Sequence, residues 1–419
     1  PKKLVDRPGN SAGRMLADPM LVAMVDPVAM LKRINFPILY QGPHNDFNAP
    51  LDTLMHNWEA IPDRSKVYFS VSPHLNHRHE LESDAAVVRF FDTFLKNEGK
   101  FPATPDLQVS LKTANGIPMA TLRPDKSGEI RSVQIYYSIN PHSLTRFWRS
   151  AATAKHGDHW VAHLPILSTD MPLFVMANVE YPLPRPLIGS RYTGISPDNF
   201  LVSTWEEIID PPALKKAGVQ AIDRPDRMIE RSFDDWGDWY QIGWGNNQHA
   251  VAGTRKLTDP KWRGPDGATL SIEVKDSQGG NFLMAFDVNN WGAYPGLAKG
   301  GYYCVKALAK TEDWQTVTIK LSDLKPRGSG ISDRPKSWQG ITELQIVAGL
   351  HRIPGEEKTI LSGGTWPGKR ELRNLQWIGG KYSSPLLYPG GKLSIEEFQK
   401  IFQADIDKSI ELEIHDTQK

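Results

Sequence analysis

Cysteine is nearly absent from this chain: Cys304 is the only one in 419 residues. That excludes an internal disulfide framework and any zinc site built on cysteine. Neither sign of charge dominates, with 49 Lys and Arg against 48 Asp and Glu and a formal net charge of +1. The two signs are interspersed, so neither a nucleic acid partner nor an anionic membrane surface is expected. No apolar run approaches the roughly 18 residues needed to span a bilayer, so no membrane span is expected. No internal repeat or low-complexity tract is visible. No cofactor is called for by any motif. A signal peptide cannot be read at Pro1, although a mature or fragmentary chain would have lost one.

What the chain does have is tryptophan and proline, 13 and 32 residues respectively, which favours β-structure and loops over helical bundles. The first segment, 1–105, reads as α/β. DPVAMLKRI (26–34) has an aspartate N-cap, a proline at the first helical position and apolar residues at helical spacing. FPILYQG (36–42) and KVYFSVSP (66–73) are apolar runs of the kind found in buried parallel strands. Between and after them, LDTLMHNWEAI and HELESDAAVVRFFDTFLKNEG carry amphipathic helical periodicity, the second closed by a glycine. Helix and strand in alternation predict a doubly wound sheet.

Periodicity then changes. In 106–185, LQVSLKT, RSVQIYYS, HWVAHLPIL and PLFVMANVEYPL alternate and are separated by turn residues, predicting a small immunoglobulin-like sandwich. A proline- and glycine-rich connector is expected over 186–225. ATLSIEVKD, NFLMAFDVNNW, WQTVTIKLSDL and LRNLQWIGG predict a second all-β domain over 226–380, a jelly-roll sandwich. A tail at 381–419 opens with Ser394 and Glu397, a capping box for a final helix. The fold class is thus α/β followed by two all-β sandwich domains.

Candidate chemistry lies just past the two apolar runs. Asp46 follows the glycine that ends the first, and His77 follows the end of the second. A carboxylate so placed would fix the imidazole tautomer and stabilise the imidazolium formed when the ring takes a proton. The plainer reading makes Asp46 a cap for the next helix and the histidines polar loop residues. His74, His77 and His79 compete for the role, and the central position of His77 in its loop favours it.

These residues carry a resemblance. FPILYQGPHNDFNAPLDTL, KVYFSVSPHLNHRHE and FFDTFLKNEGKFP resemble the C-terminal half of the dienelactone-hydrolase and acetyl-xylan-esterase branch of the α/β-hydrolase superfamily. The sandwich that follows, with TRFWR and MPLFVMANVEYPL, resembles the extra β-domain of secreted bacterial members. The resemblance implies a partial α/β-hydrolase domain, with Asp46 as the triad acid and His77 as the base. It also implies a serine nucleophile hydrolysing a glycan-linked carboxylic ester, and a secreted or periplasmic location. The string GNSAG offers Ser11, but the preceding PKKLVDRP is charged and proline-broken where an elbow needs a buried strand. The nucleophile is therefore expected in a missing or separate N-terminal half, and a separate chain completing the hydrolase domain is a candidate partner.

Ten of the 13 tryptophans lie at or after Trp205, many beside Gly, Asn and Asp. RSFDDW, FLMAFDVNNW and LRNLQWI are similar to pieces of carbohydrate-binding jelly rolls, which marks Trp239, Trp244 and Trp291 as candidate sugar platforms. Sandwich cores also consume tryptophan, so burial is the competing fate. Asp234, Asp235 and Asp238 could approach calcium, but a solvated acidic turn is the better reading and no metal is expected. The alternative to an esterase is a non-catalytic glycan-binding or structural protein that keeps a hydrolase-like remnant.

Overall fold

A computed structural model describes residues 30–47, 49–187, 196–242, 251–294, 297, 299–327, 334–347, 349–350, 361–362 and 370–382. Among the described residues, strand β1 (Ile38–Pro43) is followed by helix α1 (Leu51–Trp58), β2 (Val67–Ser72) and helix α2 (Leu81–Lys96). Strands β3 (Asp106–Ser110), β4 (Met119–Arg123), β5 (Ser132–Ser138) and β6 (Arg149–Ala151) follow. Next come β7 (Thr153–His156), β8 (His159–His163), β9 (Leu173–Pro182), β10 (Asn199–Ser203) and β11 (Glu207–Ile209). A short helix α3 (Pro211–Lys216), capped by the Asp210 carboxylate, closes this unit.

The first two strands pair in parallel, as their all-apolar composition suggests. They do not form a sheet of their own. The order β1-β2-β10-β9-β5-β6, with β11 beside β9, joins them to a seven-stranded sheet whose other pairings are antiparallel. The expected class, a partial α/β-hydrolase ahead of two sandwiches, is thereby corrected: the architecture is β-sandwich with few helices. The physical reason is the partner that β2 chooses. Where a doubly wound sheet would continue in parallel, β2 meets antiparallel β10, so a separate chain completing a hydrolase sheet loses its basis.

The junction between the two strand sets has a single registered pair, Phe69 with Ser203. Side chains extend it. Val71 N–H donates to Ser203 Oγ at 2.8 Å, Ser203 Oγ–H to Asn178 Oδ1 at 2.7 Å, and Asn178 Nδ2 to the Val71 carbonyl at 3.1 Å. This closed ring satisfies buried main-chain groups that the ladder leaves over. Strands β10 and β11 fall within the expected connector, because alternation there is too short to read against its prolines.

Against this sheet lies the four-stranded sheet β3-β4-β8-β7, and the core between them includes Leu122, Ile135, Leu164, Val175, Val202 and Phe200. A second apolar cluster, with Leu51, Val67, Phe69, Trp148 and Phe174, packs α1 onto the same large sheet.

The second unit contains β12 (Met228–Ser232), β13 (Tyr240–Ile242), β14 (Val251–Thr254), β15 (Thr269–Asp276) and β16 (Gly280–Val288). It continues with β17 (Gly300–Leu308), β18 (Thr311–Ile319), β19 (Lys325–Pro326) and β20 (Ile341–Val347). Two-residue strands β21 (Gly349–Leu350) and β22 (Leu361–Ser362) pair with each other, and β23 (Arg370–Ile378) is the last strand among the described residues. Sheets β12-β23-β15-β18 and β13-β14-β20-β16-β17-β19 enclose Leu270, Ile272, Phe282, Phe286, Trp338 and Trp377. Period-two alternation accounts for this: Phe282, Met284, Phe286 and Val288 of β16 point into the core. Among the described residues, no helix is long and apolar enough to cross a membrane.

Candidate functional site

The site begins where β1 and β2 end. His44 N–H donates to the Ser72 carbonyl at 2.9 Å and Asn45 N–H to the Leu75 carbonyl at 3.1 Å, which zips the two following loops together. Asn45 Nδ2 donates to the carbonyls of Ser143 (2.7 Å) and Arg146 (2.9 Å), tying the first loop to the sandwich. Thus anchored, Asp46 presents its carboxylate to His77, with Nδ1 lying 3.2 Å from Oδ2 and 3.3 Å from Oδ1. The Asp46 side chain is 11% exposed and that of His77 49%. A carboxylate on Nδ1 selects the tautomer that carries its proton there and leaves Nε2 as the basic nitrogen. His77 adopts φ 50°, and His74 in the same loop adopts φ 57°. Two non-glycine residues in the left-handed region indicate a loop held by its surroundings.

The competing histidines have other fates. His74 is buried against Phe147, with ring centroids 5.2 Å apart, and its carbonyl accepts from Arg255 Nη1 at 2.9 Å. Burial, with help from Arg255 and Lys256 and against the pull of Asp238, lowers its pKa to about 4. His79 reaches Asp84 at 3.6 Å.

A loop of the second unit meets this pair. Trp291, half-buried, stacks on Phe47 with centroids 5.1 Å apart and planes 12° from parallel, and Phe47 in turn lies 4.9 Å from the His77 ring. The loop is tightly constrained. Asn289 (φ 49°), Trp291 (φ 59°) and Gly292 (φ 67°) are all left-handed. Asn289 Oδ1 accepts from Tyr294 N–H at 2.6 Å, while its Nδ2 donates to the Tyr294 carbonyl at 3.0 Å. Ala293 and Tyr294 are themselves buried in the core of the first unit. The sequence-distant candidates Asp46, His77 and Trp291 therefore converge.

Beside the Trp291 loop is a recess of about 380 Å³ lined by Asp287, Asn290, Lys299, Gly300, Gly301 and Arg327, within the roughly 300–1,000 Å³ range of small-ligand sites. Asp287 lies on the outer face of β16, directly across from Glu343 on β20. Its pKa is pushed up to about 6, first by burial and then by Glu343, against the pull of Arg327 and Arg255. Arg327 Nη2 donates to Asp287 Oδ1 at 3.0 Å.

Other sequence candidates separate from this site. Trp239 is 5% exposed, packs with Phe233 and Trp236 in the core, and donates Nε1–H to Glu230 at 3.3 Å. Its expected role as an exposed platform is corrected, because the turn rich in Gly and Asp folds back over the sandwich. Ser11 and Trp244 lie outside the described residues. Asp234 accepts from Ser232, Asp235 from Gly237 N–H and Asp238 from Lys256, so the three carboxylates serve separate bonds. Among the described residues no three His, Cys, Asp or Glu side chains are grouped to hold a metal. Phe47, Asp287, Lys299 and Arg327 escaped the sequence reading. The available signal was a lone aspartate at an outward position of the apolar strand NFLMAFDV.

No protein-family model and no curated protein matches this chain. Among solved structures, one described as belonging to the carbohydrate-binding modules of the β-sandwich superfamily aligns over 67% of this chain and 100% of its own, at 10% identity and a TM-score of 0.18. A likeness that low carries no argument for ligand or mechanism.

Proposed function

We propose that this chain binds a glycan where the Trp291 loop meets the loops carrying Asp46 and His77. The observation that carries the reading is the stacked pair of Phe47 and Trp291, two partly exposed rings from sequence-distant segments set beside a polar recess. Sugar rings offer apolar faces to aromatic carbons and hydroxyls to carboxylates, amides and guanidinium groups, and a stacked ring contributes on the order of 1 kcal/mol. The strained, multiply bonded Trp291 loop supports a preorganised contact, which limits the entropy lost on binding. Affinity electrophoresis in a panel of soluble polysaccharides tests it. Trp291→Ala and Phe47→Ala should each reduce retention while leaving the melting temperature nearly unchanged. Unaltered retention in both variants would overturn the assignment. A polysaccharide ligand fits a secreted or periplasmic protein.

A second reading, hydrolysis of a glycan-linked ester, is favoured by one observation: the Asp46–His77 contact at 3.2 Å. With Nδ1 held by the carboxylate, Nε2 is suited to take a proton from an attacking hydroxyl or water. Release of acyl groups from an acetylated polysaccharide, abolished in His77→Ala, would support this reading. No release by the wild-type chain would end it.

A further inference from the structure

We propose that the recess at the end of β16 recognises an acidic sugar, a carboxylate-bearing unit of a polysaccharide held by Lys299 and Arg327. The inference rests on the glycan reading above and adds the class of glycan. Its basis is an imbalance of partners. Lys299 is exposed on the recess wall and has no ion-pair partner among the described residues. Among the described residues Arg327 has one carboxylate bond, to Asp287, and its side chain remains 25% exposed. Glu343, the other acid nearby, is already engaged by Arg255 at 3.1 Å and by the Tyr240 hydroxyl. Two cations thus face the recess with one carboxylate between them.

Shape agrees with charge. Gly300 and Gly301 contribute bare main chain to the lining. A Cβ on Gly301 would come within 3.3 Å of Arg327 Nε and 3.4 Å of Asp287 Oδ1, and one on Gly300 within 2.8 Å of the Tyr302 hydroxyl. A side chain at position 301 would crowd the guanidinium that the ligand needs. Arginine offers paired N–H donors in one plane, the geometry a carboxylate accepts best, while lysine supplies a point charge.

The internal carboxylate also gives the site a pH dependence. Asp287 is faced by Glu343 from β20, Arg327 from the segment after β19, Arg255 ahead of the second unit's first 3₁₀ turn, and Lys299 from the loop before β17. Above a pH of about 6 the Asp287 carboxylate occupies Arg327. Below it Asp287 takes a proton, and the ligand carboxylate, still ionised down to a pH of about 4, replaces it as the guanidinium's partner. Affinity for the acidic sugar therefore rises as pH falls from about 7.5 to about 5.

The test is calorimetric titration of the full chain with galacturonate oligomers, their methyl esters and the matching galactose oligomers. The acid form should bind about tenfold more tightly than either neutral form. Lys299→Ala, at an exposed position that spares folding, should reduce that preference by about two- to fivefold, and Lys299→Glu should abolish it. Asp287→Asn should remove the rise at low pH. Equal binding of acid and neutral oligomers would overturn the acidic-sugar assignment and leave the glycan reading intact. Equal retention of a sulfated galactan would overturn the carboxylate in favour of charge alone. If no polysaccharide of any charge binds, the glycan reading fails and this inference falls with it.

Discussion

Two arginine–carboxylate groupings in this molecule are made of the same residue types and are put to opposite uses. Arg146 is 1% exposed and donates to both Asp52 oxygens at 2.7 Å, to Glu206 at 3.0 Å and to the carbonyls of Asn140 and Pro141, with the Phe174 ring 3.5 Å from its Cζ. Burial, reinforced by the charge of Asp52 and opposed by Arg146, raises the Glu206 pKa well above its ordinary value. The guanidinium of that cluster is saturated and joins α1 to the sandwich. Arg327 and Asp287 share one 3.0 Å bond at the edge of a recess, beside a lysine with no ion-pair partner among the described residues. A saturated arginine supports a fold, whereas a half-engaged one is available to a ligand.

The largest effect expected from this contrast is on stability. Asp52→Ala leaves the Arg146 guanidinium buried without its two bonds to that carboxylate, and should lower the unfolding free energy by about 3–5 kcal/mol in urea titrations. Asp287→Asn, made at the open cluster, should cost under about 1 kcal/mol in the same assay. Comparable losses from both variants would break the distinction.

Acid should expose the buried state of His74. The folded-state pKa of His74, about 4, lies below its ordinary value near 6.5. The unfolded chain therefore binds the extra proton first, and the penalty is absent above pH 6.5 and grows as pH falls toward 4. His74→Phe should thus gain melting temperature relative to wild type progressively over that interval, with a constant difference above it. A pH-independent difference would show that His74 is not buried in its neutral form.

The smallest stability effect belongs to His77. Its ring is 49% exposed, so His77→Ala should change unfolding free energy by less than about 1 kcal/mol, in contrast to Asp52→Ala. A larger loss would place the Asp46–His77 contact with the structural clusters.

The sequence showed some of this and concealed the rest for identifiable reasons. Strands β2, β15, β16 and β18 and helices α1 and α2 were visible because their periodicity is local. The facing of Asp46 and His77 was also visible, since each follows a strand end and parallel neighbours put those ends on one edge. The partner of β2 was not, because pairing with β10 depends on Ser203 and Asn178, more than a hundred residues away and unremarkable in composition. Trp239 misled because a turn rich in glycine and aspartate reads as exposed whether or not it folds back. Phe47 was hidden in a stretch that looked like capping chemistry, and only the Trp291 loop across the unit boundary gives it meaning.

The hydrogen-bonded ring of Val71, Ser203 and Asn178 has a consequence for how this sheet tolerates change. Elsewhere in the sheet, alignment is fixed by many repeated main-chain pairs. At this one seam a single main-chain pair is reinforced by a hydroxyl and a carboxamide. A shift of two residues along the seam would return every side chain to its own face of the sheet. Loss of Ser203 or Asn178 would therefore be felt as a sliding of two otherwise intact blocks past each other. Residues 38–72 would be carried with the moving block, and Phe47 would be drawn away from its stack on Trp291.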